Sequence, residues 1–146
     1  MKKSSTIRTL LLAFAILTLG HRAGAQDVMI VVNKGTSVSQ ITIGQLRDIF
    51  TGGRSRFNNG GRALPVLLKG GPVHEVFLHH YVGDSPEEFR LRWRKAVFTG
   101  QGSMPREFAT EAAMLDYVAS TPGAIGYVSH VSDSQAVRVL TITADR

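Results

Sequence analysis

The sequence has no cysteine. Disulfides are therefore excluded, and an exported form of this chain must rely on its core alone. A cysteine nucleophile and an anchor attached to an N-terminal cysteine are excluded by the same absence. No apolar run reaches the roughly 20 residues that a spanning helix needs. The stretch LLLAFAILTL at residues 10–19 is about half that length. The first 25 residues contain no acidic side chain, although Lys2, Lys3, Arg8 and Arg22 lie there. No internal repeat and no low-complexity segment is visible.

What is present at the N-terminus is a basic start, an apolar stretch and then Ala23-Gly24-Ala25. This is the pattern of a secretory signal, with cleavage expected after Ala25. Residues 1–25 are thus read as a signal peptide and residues 26–146 as one domain. Four of the 17 basic residues leave with the leader, so 13 face 11 acidic ones and the net charge falls from +6 to +2. So small a charge is a poor footprint for a nucleic-acid binder. A freely diffusing exported protein is retained where an outer membrane exists, which makes a bacterial periplasm the expected compartment.

Residues 28–32 (VMIVV) form an apolar run rich in β-branched side chains, as in a strand buried on both faces. Thr42 and Gln45 fit a capping box, with Ile43, Leu46 and Phe50 at helical spacing. Thr51-Gly52-Gly53 ends that helix. Residues 54–61 read as a loop and residues 64–68 as a strand. Gly70-Gly71-Pro72 precedes a helix with Val73, Phe77 and Tyr81 on one face. Ser85 and Glu88 form a second capping box around Pro86, before a helix with Phe89, Trp93, Ala96 and Val97 as its apolar stripe. Thr110 caps a helix carrying Met114, Leu115 and Val118. Residues 125–129 and 137–142 read as strands. This alternation predicts an α/β layer fold with a mixed, mostly parallel sheet flanked by helices.

Catalysis has little to stand on. His74, Glu75 and His79 approximate a zinc-protease helix, but the histidines are five apart rather than four, which turns them roughly 140° from each other. They are read as partly exposed helix histidines. Arg90, Arg92, Arg94 and Lys95 make a basic run, with Glu88 placed to pair with Arg92. Gly100-Gln101-Gly102 is too short for a dinucleotide fingerprint. No cofactor and no metal is expected. One feature suits an anion: Gly70-Gly71 leads into a helix start, where amide N–H groups are free and partly positive. Lys69 and Arg106 could add charge-assisted contacts there.

The sequence resembles the substrate-binding proteins of phosphate ABC transporters, particularly short standalone members. The resemblance is carried by Val31-Val32-Asn33 and by Leu46-Arg47-Asp48-Ile49-Phe50-Thr51-Gly52. It continues at Trp93, at Phe98-Thr99-Gly100-Gln101-Gly102 with Pro105, and at Pro122-Gly123-Ala124-Ile125-Gly126-Tyr127-Val128. It implies a single lobe of a type 2 periplasmic-binding fold, the second of the two that close on phosphate in full-length relatives. The family's serine-glycine-threonine turn falls on Gly71, Pro72 and Val73, so both hydroxyls are absent, and Pro72 removes an amide donor. The family's upstream arginine and aspartate positions fall on Leu67 and Lys69. The remaining expected donors are the amides of Gly70, Gly71 and Val73, with Lys69, His74 and Arg106 beside them. The implied function is reversible, non-enzymatic binding of phosphate or a similar oxyanion, serving a membrane permease, with a homodimer as one way to supply the missing lobe. The alternative is a ligand-free accessory protein for an envelope transporter, sensor or porin. An envelope hydrolase is the third reading and has no motif in its support.

Overall fold

The structure is a computed structural model that describes residues 27–132 and 136–145. The expected leader lies outside the described residues. Among these residues, no helix is long and apolar enough to cross a membrane.

The chain runs β1 (Met29–Asn33), β2 (Gln40–Thr42), α1 (Ile43–Phe50), β3 (Leu64–Leu68) and α2 (Pro72–Phe77). After α2 a π-helical turn (Leu78–Val82) leads to α3 (Pro86–Phe98), β4 (Arg106–Phe108) and α4 (Glu111–Ser120). Strands β5 (Ala124–Val128), β6 (Val137–Val139) and β7 (Thr141–Thr143) complete the order. Five strands form one sheet in the order β4-β3-β5-β1-β6, and β2 pairs with β7 in a second. Pairings β3–β4, β3–β5 and β2–β7 are parallel. Those of β1 with β5 and β6 are antiparallel. The expected mixed and mostly parallel sheet with helices around it is what the chain forms.

The apolar run of β1 is explained by its place between β5 and β6, where residues 30–33 are all buried. Both capping boxes form as expected, Thr42 with Gln45 and Ser85 with Glu88. Asp145 reinforces the first turn of α1, accepting from Gly44 N at 2.9 and 3.0 Å. Thr110 caps α4 through Ala113 N at 3.2 Å.

Three features depart from the expectation. Strands β2 and β4 have only three residues each and too little alternation to be seen in the sequence. The expected strand 137–142 breaks at Leu140, whose buried side chain and bond to Ile30 O at 2.8 Å turn the chain from one sheet to the other. Arg92 does not pair with Glu88. Glu88 is committed to its capping box, accepting from Ser85 N at 2.8 Å, and Arg92 grips Asp84 with two bonds of 2.9 Å.

Asn33 ties the sheet to α4. Its Nδ2 donates to Val118 O and Ala119 O at 2.9 Å each, carbonyls in the last turn of α4. At the middle of the core the Phe77 and Tyr127 rings stack at 3.8 Å, and Phe50 meets Phe77 edge-on at 4.7 Å. This aromatic group holds α1, α2 and β5 together directly beneath the turn before α2.

Candidate functional site

The turn is made by residues 69–74, at the C-terminal end of β3. Lys69 N is used by Phe108 O at 2.9 Å, which pins the turn to β4. Gly71 has φ +94° and ψ 172°, a backbone conformation open essentially to glycine alone. Pro72 opens α2, so the first helical residue has no N–H. Glu75 N closes the first helical bond onto Gly71 O at 3.1 Å. The amides of Gly70, Gly71, Val73 and His74 have no acceptor among the described residues.

His74 is buried rather than partly exposed, in contrast to the expectation for this helix; His79 does face solvent. The cause is β5. Tyr127 is fully buried, and its hydroxyl reaches both Leu68 N at 3.0 Å and His74 Nδ1 at 2.5 Å. Since Leu68 N–H donates to the oxygen, the phenolic proton is free to go to Nδ1, which places the imidazole proton on Nε2. Burial, with the Arg90 charge as a lesser contribution, holds the His74 pKa below its ordinary value, although Glu75 pulls it upward. Burial likewise raises the Tyr127 pKa and keeps the phenol protonated. His74 is therefore a neutral group at pH 7 and not a cation for an anionic guest.

Lys69, Gly70 and His74 line a hollow of about 190 Å³ together with Arg90 of α3. Glu75 and Glu107 line the same hollow. Its charge is two cations against two anions. Gly71 and Val73 lie in the turn but not along the hollow, and the Val73 side chain is buried in the core. Arg106 is not brought to this hollow. It alternates with Glu107 along β4, and its guanidinium lies 5.1 Å from the centre of the Tyr117 ring on the other side of the strand. Of the six residues expected at an oxyanion site, Lys69, Gly70 and His74 line the hollow, Gly71 and Val73 belong to the turn without lining it, and Arg106 is directed elsewhere.

Sequence reasoning did not find Arg90, Glu107 or Tyr127 as neighbours of the turn. The buried tyrosine in the AIGYV strand carried a signal, because a phenol within a central strand requires a hydrogen-bond partner. Glu107 carried none, since β4 was not recognised as a strand. Among the described residues, no group of three or more histidine, aspartate or glutamate side chains is placed to hold a metal ion.

No protein-family model matches the sequence. In fold the chain is similar to an ABC-type phosphate transport receptor from Vibrio cholerae, with a TM-score of 0.58 and 18% identity over 81% of this chain and 47% of that one. It is similar also to PstS from Borrelia burgdorferi, with a TM-score of 0.58 and 12% identity over 82% of this chain and 48% of that one. A phosphate-binding protein from Stenotrophomonas maltophilia gives 0.52 and 16% over 79% and 38%. The chain thus spans less than half the length of these receptors.

Proposed function

We propose that this protein is a relative of the phosphate receptors that binds phosphate or a similar oxyanion reversibly and without covalent chemistry. The single observation that carries the reading is the placement of the free amides of Gly70, Gly71, Val73 and His74, at a strand-to-helix turn, within a fold shared with those receptors. Amides so placed offer partial positive charge to an anion. Lys69 supplies the full charge, and the neutral imidazole of His74, which also lines the hollow, is the donor beside it. In this reading the leader is cleaved after Ala25 and the protein acts in the periplasm. It delivers its guest to a membrane permease, and a homodimer or another chain supplies the facing lobe.

The hollow itself favours a second reading. Glu75 and Glu107 oppose a phosphate dianion. A ligand-free lobe that docks on an envelope transporter, sensor or porin accounts for this feature. Calorimetry with phosphate and sulfate separates the two. Binding at millimolar anion or tighter supports the first, and no heat at those concentrations removes it. The variant Glu75→Gln/Glu107→Gln takes away two like charges and should tighten phosphate at least tenfold if the hollow is the site. No change in that variant would place any anion elsewhere.

A further inference from the structure

A second concavity lies along the N-terminal half of β3, on the side of β4 to which Arg106 turns. It measures about 310 Å³, which is within the usual range for small-molecule sites. Its floor is apolar, made by Ile49, Leu64, Pro65, Val66 and the Trp93 ring.

Several details show that this floor is set rather than loose. Trp93 Nε1 donates to Phe50 O at 3.0 Å, so the indole cannot rotate without losing a buried bond. Gly52, at φ +81°, would place a Cβ 3.1 Å from the ring, and Gly102 one at 3.4 Å. The two glycines let the chain pass close on the indole from the α1 end and from the loop before β4.

The rim carries charge of one sign. Arg54 and Arg106 both line the cleft, and no aspartate or glutamate does. Neither arginine is in an ion pair among the described residues. Arg54 is steadied by Asn58 Oδ1 at 2.8 Å, which occupies one of its five N–H groups. Arg106 lies over the Tyr117 ring. A guanidinium stacked on an aromatic face keeps its edge donors free for a planar oxyanion. Ser55, Gln101 and Ser103 add neutral polar groups at the rim.

We propose that this cleft is a binding site for a small organic carboxylate with an apolar body, the body resting on Trp93 and Pro65 and the carboxylate held by Arg54 and Arg106. The site differs from the hollow at residues 69–74 in place and in ligand chemistry, and it does not depend on the reading proposed for that hollow. An inorganic anion would satisfy the arginines but leave the apolar floor wet, so charge and body are both required.

Trp93 is the sole tryptophan of the chain and forms part of the floor, so its emission reports occupancy directly. The experiment titrates the protein with benzoate, phenylacetate and isovalerate, with benzyl alcohol and inorganic phosphate as the charge-free and body-free comparisons. A saturable change in Trp93 emission is expected for at least one carboxylate, at concentrations at least tenfold below any response to benzyl alcohol or phosphate. Arg54→Gln and Arg106→Gln should each weaken it about tenfold or more, consistent with loss of a charge-assisted pair. Arg94→Gln, an equal loss of charge on α3, should leave it unchanged. Thermal unfolding of each variant establishes that it is folded. Silence toward all three carboxylates overturns the proposal. So does a response that Arg94→Gln weakens as much as the two cleft variants, or one that phosphate reproduces in full.

Discussion

Replacing Tyr127 by phenylalanine removes one oxygen from the centre of the molecule and leaves the ring in place. The stack on Phe77 at 3.8 Å survives, so no cavity of side-chain size opens. The loss is polar. Leu68 N–H, bonded to the hydroxyl at 3.0 Å, becomes a buried donor without an acceptor, and His74 Nδ1 loses its donor at 2.5 Å. Orphaning a buried group costs about 1–3 kcal/mol. With two groups affected, and His74 near enough to the hollow to recruit water, the expected destabilisation is about 2–4 kcal/mol. Denaturant unfolding at pH 7.5, followed by Trp93 fluorescence and by circular dichroism, measures it. The midpoint should fall with an unchanged slope, because the surface exposed on unfolding is the same. A loss below about 0.5 kcal/mol would refute the reasoning, since it would mean that the phenol is not the partner of these groups.

Two further outcomes follow from the same region and its neighbour. His74 has a depressed pKa in the folded state, so between its ordinary value of 6.5 and its lower folded value the unfolded chain binds the proton and the native one does not. The contribution of His74 is therefore intact above pH 6.5 and is lost as pH falls below it, by at most about 1.4 kcal/mol per pH unit. His74→Leu should flatten the stability profile between pH 7.5 and 5 relative to the parent; parallel profiles would contradict this. Gly123 has φ +82°, and a Cβ there would stand 2.5 Å from Arg62 O, a backbone atom that cannot yield cheaply. Gly123→Ala should cost more than about 3 kcal/mol by strain and displacement of the β3–β5 junction. A thermal midpoint within a degree or two of the parent would refute that.

The acid–base balance of the hollow explains why the resemblance reaches the fold more securely than the ligand. Helix starts and strand ends repeat across the architecture because the backbone alone makes them. What a turn of this kind holds depends on the side chains that other elements send toward it. Here α3 sends Arg90 and β4 sends Glu107, while the serine and threonine hydroxyls expected from the family are replaced by Gly71 and Val73.

The sequence by itself determined the local structure wherever the cause is local. Thr42 with Gln45 and Ser85 with Glu88 close their boxes within three residues, Pro72 and Pro86 suit a helix start where no N–H is needed, and the VMIVV run favours a buried strand. Tertiary structure decided everything that required two distant segments to meet. It buried His74 against Tyr127, 53 positions away, which made a surface-looking histidine a neutral core group. It also built β4 and β2, whose three residues become strands only through their partners. Finally, it set Arg106 and Glu107 on opposite sides of one strand and so sorted the charges into two separate concavities. A side chain's direction from a strand follows from register, and register is fixed by pairing with another part of the chain.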